Sequence, residues 1–261
     1  HDFIYLFPLS DFHWDEPQSD HEAIKGYVDW IASHKNAYTL LNGDLVTAPT
    51  DKSAANLYEM AEPGKSIEFP SLDQCSNELE SLLKPIAKKI LAACSGGHEL
   101  KNVFRATGTD WTYNLMKRLG IEDRYTRDGG VLLIRTKPAN INDNTFFTAV
   151  FTHGWGGARR TGAHVNKTEE LAAVVTNADV YIIGHEHTLY GSRWDSAYIP
   201  DKRNTVECQP MRQVFVGGGT FCRYTKFQKR IQRRLPNLGA PRIRLEGISG
   251  HRSHKDIHVS I

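Results

Sequence analysis

Five short stretches of the sequence place aspartate or histidine where it could bind a metal or move a proton. They are "SDFH" at 10–13, "NGD" at 42–44, "GGHE" at 96–99, "FTHG" at 151–154 and "GHEH" at 184–187. Each follows a short apolar run, which is typical of a buried strand that ends in a loop. Carboxylate and imidazole together suit Mn²⁺, Fe, Zn²⁺ or Ni²⁺ better than Ca²⁺. The stretches therefore predict a site for such a metal.

Strands and helices alternate in the first half of the chain. The runs "FIYLFPL", "AYTLLN" and "KKILAAC" predict three strands, and a helix between the first two begins after Ser19 or Asp20 as its N-cap. Residues 51–87 are predicted to be mostly helical. A further helix is predicted from an N-cap at Thr109 to Gly120.

The second half is richer in strands. Six runs predict them: "VLLIRT", "TFFTAVFTHG", "DVYIIGHEH", "QVFVGGGTF", "PRIRLEG" and "KDIHVSI". One helix is predicted around 167–176, and 137–144 and 192–210 are predicted to be irregular. This order of elements predicts a single α/β domain over 1–261, with two packed sheets flanked by helices.

The predicted strands explain how distant stretches could form one site. Five strand ends each carry a candidate group, as a site at one edge of a sheet requires. In Asp11-x-His13 and His185-x-His187 the paired residues lie two apart, so on an extended backbone their side chains point the same way. The two side chains of a pair can then converge on one cation.

The five stretches, in this order, resemble the motifs of the calcineurin-like metallophosphoesterase family. The family pattern is D-x-H, G-D, G-N-H-[DE], a lone H and G-H-x-H, and the match spans residues 11–187. The resemblance implies a four-layer α/β/β/α sandwich with mixed sheets. "VGGGTF" and "LPNLGAPRIRL" further resemble the C-terminal part of a branch common in bacteriophage and bacterial genomes.

The resemblance also implies a role for each matching residue. Asp11, His13 and His187 would hold one divalent cation, His153 and His185 a second, and Asp44 would bridge both. Mn²⁺ is the preferred metal, with Fe, Zn²⁺ or Ni²⁺ as alternatives. A hydroxide bridging the two cations would attack the phosphorus, and His98 would protonate the leaving oxygen.

The implied substrate is a phosphate ester, with phosphodiesters, including nucleotides or nucleic acid, favoured. Phosphomonoesterase or protein phosphatase activity is the nearest alternative. The sequence departs from the family at Gly97, where the family has a metal-binding asparagine. Glycine offers no ligand, so we expect a weak second site. A binding or scaffold protein with reduced catalysis is the third alternative.

Several residues outside these stretches are candidates for substrate contact. Arg159 and Arg160 follow His153 and could grip a phosphate, although a solvated loop charge is an equal alternative. Trp155 could stack on a base or pack in the core. The basic segment 223–234 carries Arg223, Lys226, Lys229, Arg230, Arg233 and Arg234. It could follow a nucleic-acid backbone, but an amphipathic solvated helix is slightly favoured.

Composition excludes some other classes of protein. Thirty-two basic and thirty acidic residues give a net charge of +2, so no global field favours nucleic acid or an anionic membrane. No apolar run approaches the ~20 residues of a membrane span. The four cysteines show no paired spacing, which argues against a zinc finger or a disulfide framework. We expect a cytoplasmic protein of a prokaryotic or phage-infected cell. Its oligomeric state does not follow from the sequence.

Overall fold

The computed structural model describes residues 3–49, 69–137, 144–157, 160–199, 208–224, 228–229, 232, 234–247 and 255–261. In chain order, their strands are β1 (Phe3–Leu9), β2 (Ala37–Asn42), β3 (Ile90–Cys94), β4 (Gly130–Thr136), β5 (Thr145–Thr152), β6 (Val180–Ile183), β7 (Leu189–Tyr198), β8 (Gln209–Gly218), β9 (Arg242–Gly247) and β10 (Lys255–Ser260). They form two five-stranded sheets. The first has the order β10-β9-β1-β2-β3, and the second β4-β5-β6-β8-β7.

Both sheets are mixed. In the first, β1, β2 and β3 are parallel, and β9 pairs antiparallel with β1 and β10. In the second, β5, β6 and β8 are parallel, and β4 and β7 pair antiparallel at the two edges. In each sheet the three parallel strands are neighbours, so their carboxyl ends point the same way and open toward neighbouring loops.

Helices cover the outer face of each sheet. They are α1 (His21–Ser33), α2 (Leu72–Leu83), α3 (Trp111–Arg118) and α4 (Thr161–Val174). One apolar core joins the first sheet to α1, α2 and α3, a second lies between the two sheets, and a third joins the second sheet to α4. This layering confirms the predicted fold class, two packed mixed sheets flanked by helices in the order α/β/β/α.

The element between β3 and α3 departs from regular helix geometry. Residues Glu99–Phe104 form a wide π-helical turn that continues into Arg105–Thr107. Such turns frequently occur at functional sites. It begins directly after His98, so this turn sets the position of the candidate proton donor.

Three local predictions need correction. Residues 192–198 and 209–210 are not irregular, because they belong to β7 and β8. β7 is an edge strand whose largely exposed side chains give no apolar signal. The N-cap of α3 is Asp110 rather than Thr109, since the Asp110 carboxylate accepts the Tyr113 N–H at 3.1 Å. Helix α4 begins at Thr161, before the predicted 167.

Parts of other predictions lie outside the described residues, including 51–68 of the helical region and 138–143 of the first irregular loop. Among the helices that the structure describes, none has the length and apolar character needed to cross a membrane.

Candidate metal centre

The candidate residues follow five strands, as predicted, but the strands belong to both sheets. Asp11, Asp44 and His98 follow β1, β2 and β3 of the first sheet, whereas His153 and His185 follow β5 and β6 of the second. The expectation of one sheet edge is therefore wrong. The two sheets face each other across a common core, so their strand ends meet.

The backbone at these residues is left-handed rather than extended. Seven non-glycine residues have a positive φ in the described part of the chain. Five of them are candidate ligands: Asp11 (55°), His13 (47°), Asp44 (50°), His185 (68°) and His187 (53°). The prediction that paired side chains converge on an extended backbone is wrong, because tight left-handed turns aim them. Each such residue costs about 1–3 kcal/mol, and such strain clusters at functional sites.

Three overlapping groups of side chains could each hold a metal ion. They are Asp11–His13–His187, His13–Asp44–His98 and Asp44–His153–His185, and in each group the ligand atoms lie within 4.8 Å of one another. His13 belongs to two groups, and so does Asp44. The groups are therefore parts of one continuous centre.

In the first group, hydrogen bonds determine which nitrogen of His13 faces inward. The Thr47 hydroxyl donates to Glu16 Oε1 at 2.6 Å, so its oxygen accepts from His13 Nδ1–H at 2.8 Å. This leaves the lone pair on Nε2, which lies 3.2 Å from His187 Nε2. Asp11 Oδ1 lies 3.2 Å from the same nitrogen of His187.

The Asp44–His153–His185 group is oriented by backbone carbonyls. His153 Nδ1 bonds to the Asn42 carbonyl at 2.8 Å, which leaves Nε2 facing Asp44 Oδ2 at 3.0 Å. His185 Nε2 bonds to the Gly156 carbonyl, so its Nδ1 is the nitrogen left for the centre. Metal-binding histidines typically use one ring N–H in this way to fix the other nitrogen on the metal.

The electrostatics of the centre favour a cation. Burial acts to raise the pKa of Asp11 and Asp44, but the neighbouring His187 and His153 outweigh it and lower both pKa values. Burial acts to lower the pKa of His153, but the charge of Asp44 outweighs it and raises that pKa to about 10. Burial lowers the pKa of His13 to about 4, so this imidazole is neutral, as a ligand must be.

Polar atoms facing the centre also lack conventional partners. Asp11 Oδ1 and His153 Nε2 are buried without a hydrogen bond to the described residues, and each has only an ionic neighbour, His187 Nε2 at 3.2 Å and Asp44 Oδ2 at 3.0 Å. Buried polar atoms in this state are costly. These unpaired atoms, and the nitrogen and oxygen donors around them, fit divalent cations of the Mn²⁺, Fe, Zn²⁺ and Ni²⁺ group.

A residue whose role the sequence did not reveal organises this centre. The Glu99 carboxylate accepts the backbone N–H groups of Leu45 at 2.6 Å, Gly96 at 2.9 Å, Asp44 at 3.2 Å and Val46 at 3.3 Å. Burial and the charge of Asp44 raise the pKa of Glu99 to about 8. Glu99 thus joins the loops after β2 and β3. In the sequence, the only indication of this role was that an acidic residue ends the stretch "GGHE".

The two glycines before His98 differ in the space available for a side chain. A side chain at Gly96 would meet the backbone N and Oδ1 of Asp44 at 2.1 Å, so only glycine fits there. A Cβ at Gly97 would meet nothing within 4 Å. The structure therefore permits a larger residue at Gly97, including asparagine.

His98 occupies a more open position than the other candidate residues. Its side chain is 40% exposed, and its Nε2 lies 3.9 Å from Asp44 Oδ2. Its backbone N–H donates to Asp44 Oδ1 at 2.9 Å, which fixes the loop beside the centre. Its ring meets the His13 ring edge-on, with centroids 5.1 Å apart. It can therefore contact both the centre and a molecule arriving from solvent.

The residues predicted to contact substrate are either exposed or outside the described residues. Trp155 and Arg160 are exposed, on the segment between His153 and α4, while Arg159 lies outside the described residues. In the basic segment, Arg223 forms an ion pair with Asp20 at 2.8 Å. Lys226, Arg230 and Arg233 lie outside the described residues.

The glycine run at the end of β8 packs against the turn that carries Asp11. A Cβ at Gly218 would contact Ser10 Cβ at 3.3 Å. The next residues, Thr220 and Phe221, both donate to the Asp11 carbonyl at 3.1 Å. This segment therefore fixes the turn that carries Asp11.

No protein-family model matches the chain, and no curated protein matches it in sequence. Among solved structures, one similar chain is a conserved uncharacterized protein from Streptococcus pneumoniae, described as a predicted phosphoesterase. It is 12% identical, the alignment covers 100% of this chain and 99% of that chain, and the TM-score is 0.39. Nothing about function follows from so distant a likeness.

Proposed function

We propose that this chain is a divalent-metal-dependent phosphoesterase that hydrolyses phosphodiesters. The observation that carries the proposal is the continuous centre, in which His13 and Asp44 are each shared between groups of potential ligands. Shared ligands place two cation sites side by side, as two-metal phosphoesterases require. The order of the five sequence motifs supports the same activity.

The residues divide between two sites. Asp11, His13 and His187 would hold one cation, His153 and His185 the other, and Asp44 both. Two adjacent divalent cations, when bound, would acidify a water molecule and neutralise the charge on phosphate oxygens. Mn²⁺ is the preferred metal, and Fe, Zn²⁺ and Ni²⁺ are alternatives with the same ligand preferences.

The chain's own side chains would complete the reaction. His98 stands at the solvent-facing side of the centre, where it can donate a proton to the leaving oxygen. Glu99 keeps the His98 turn against Asp44, so the donor is held in place before substrate arrives. Trp155, Arg159 and Arg160 follow His153 and would contact the ester or its phosphate.

The proposal is tested with bis-p-nitrophenyl phosphate and p-nitrophenyl phosphate. Protein stripped with a chelator should be inactive, and Mn²⁺ should restore hydrolysis, with the diester preferred. Preference for the monoester would instead assign phosphomonoesterase or protein phosphatase activity. Binding of metal without hydrolysis of either compound would favour the binding or scaffold alternative.

Nucleic acid is the proposed partner that this assay does not address. Affinity for a single-stranded oligonucleotide should fall steeply with salt if the segment 223–234 follows the backbone. Replacing Arg230, Arg233 and Arg234 by alanine should reduce the slope of log affinity against log salt by about 0.7 for each phosphate that the protein no longer neutralises. The ion pair of Arg223 with Asp20 makes that arginine less available to a phosphate. An unchanged slope would support the solvated-helix alternative.

A further inference from the structure

Glu186, between the candidate ligands His185 and His187, faces away from the metal centre. Its side chain is 3% exposed and lies against α4. Glu186 Oε1 accepts from Lys167 Nζ, and Oε2 lies 3.3 Å from His164 Nδ1. A buried carboxylate is tolerated only when it is paired in this way. The middle residue of the His-x-His turn is therefore anchored to a helix outside the centre.

Lys167 also contacts a second loop. Its Nζ donates to the Trp155 carbonyl at 2.8 Å, and its side chain is 14% exposed. Trp155 lies in the loop that follows His153, and Glu186 lies in the loop of His185. One ammonium group thus joins the two loops that supply His153 and His185.

A further contact joins the same loops. His185 Nε2 bonds to the Gly156 carbonyl, one residue beyond Trp155. Helix α4 is itself held, because Tyr190 OH donates to the His164 carbonyl at 3.0 Å. The Lys167–Glu186 pair is therefore part of a fixed network rather than an isolated surface ion pair.

This network holds a strained stretch of backbone in place. His185 and His187 have φ values of 68° and 53°, in a region that side-chain-bearing residues avoid. Such conformations persist only where the surroundings over-determine them. Glu186 lies between the two strained residues, so its anchor acts where the turn would otherwise relax.

We propose that Lys167 and Glu186 are positioning residues that clamp the His153 and His185 loops together and thereby set the affinity of the second cation. This inference rests on the proposed metal site. The first cation should depend less on the clamp, since only one of its ligands, His187, lies on the anchored turn, while Asp11 and His13 lie on a different loop. Outer residues that orient metal ligands typically change metal affinity by about 10–100-fold.

The test is calorimetric titration of metal-free protein with Mn²⁺, without substrate. Lys167→Met keeps an apolar stem but removes both donated hydrogen bonds, so the second binding event should weaken by about 10–100-fold, with a smaller loss in the first. Lys167→Arg keeps the charge and several N–H donors, so it should retain most of the affinity. Lys25→Met, at an exposed position on α1, is the matched control.

A double-mutant cycle separates the pair from general damage. Lys167→Met leaves Glu186 as a buried charge without its ammonium partner, so adding Glu186→Gln should cost nothing further. Unchanged second-site affinity in Lys167→Met would overturn the clamp. Equal losses at both sites with a lower Tm of the metal-free protein would also overturn it, because that pattern shows a structural role only. Absence of Mn²⁺ binding in the wild type would instead overturn the metal site itself, and the clamp with it.

If Lys167→Met does not fold, the same titration is made with Lys167→Arg and Glu186→Gln. Wild-type affinity at the second site in Glu186→Gln would then overturn the proposal, and selective weakening there would support it.

Discussion

The two halves of the candidate metal centre are assembled differently. In the first half, Asp11 and His13 share the single turn after β1, and only His187 comes from elsewhere. In the second half, Asp44, His153 and His185 come from three separate loops that follow strands of both sheets. The first half is largely local, whereas the second depends on how the sheets meet.

Backbone hydrogen bonds stiffen the first half. Asp11 N–H donates to the Gly43 carbonyl at 3.0 Å, and His13 N–H donates to the Asp44 carbonyl at 3.1 Å. The turn after β1 is thus tied along its length to the turn after β2. A site whose ligands are fixed before the cation arrives loses less conformational entropy on binding.

The second half is held by hydrogen bonds between the two sheets. Asn42 Nδ2 donates to the Thr152 carbonyl at 2.9 Å, and His153 Nδ1 bonds to the Asn42 carbonyl at 2.8 Å. These bonds connect the end of β2 in one sheet to the end of β5 in the other. Gly97 also offers this half no ligand. We therefore expect tight binding of one cation and weak binding of a second.

The largest loss of turnover should come from replacing Asp44, the residue proposed to bind both cations. Asp44→Asn removes the shared charge but keeps an oxygen for the His98 N–H, and asparagine tolerates the left-handed backbone. Charge stabilisation by a metal contributes several kcal/mol, so turnover should fall by about 10³-fold. Calorimetry should also show loss of the second cation.

Asp123→Asn, at an exposed position, serves as the control for Asp44→Asn. If Asp44→Asn still binds two cations with wild-type affinity, the two halves do not share Asp44, and the comparison between them fails.

A smaller effect on turnover is expected from His98→Asn. Loss of the proton donor should slow the hydrolysis of esters with poor leaving groups by about 10²-fold, while leaving groups of low pKa are affected less. Metal affinity should stay the same. A loss of metal affinity would instead identify His98 as a ligand alongside His13 and Asp44, with which it forms one of the three groups.

The sequence predicted the described strands other than β7, and which residues meet, because a hydrophobic run ending in a polar loop is a local signal. It did not predict how the side chains converge, since the left-handed turns at Asp11 and His185 depend on hydrogen bonds from distant segments. Glu99 and Glu186 were missed for a similar reason. A carboxylate reveals its role only when the N–H groups or the lysine that it binds are known, and these lie far away in the chain.

The first half can be weakened alone through Thr47. Thr47→Val removes the hydroxyl that accepts His13 Nδ1–H at 2.8 Å, so the ring loses the hydrogen bond that fixes its inward nitrogen. The affinity of the first cation should fall by roughly 10–100-fold, measured by Mn²⁺ titration. Thr107→Val, which removes a hydrogen-bonded hydroxyl at an exposed position, is a matched control. Equal weakening of both cations would show that the halves are not independent.

The smallest effect, and the sharpest test of the difference between the halves, is expected at Gly97. Asparagine there has room, because nothing lies within 4 Å of the added Cβ, and its amide oxygen would supply the second half with one more neutral ligand. A gain of about 1.4 kcal/mol corresponds to a tenfold lower Kd. Since no charge is added, activity should reach its maximum at lower Mn²⁺ without a shift in its pH optimum. Gly97→Ala adds the Cβ alone and is the matched control. If Gly97→Asn needs as much metal as Gly97→Ala, another group already completes the second half, and its weakness has a different cause.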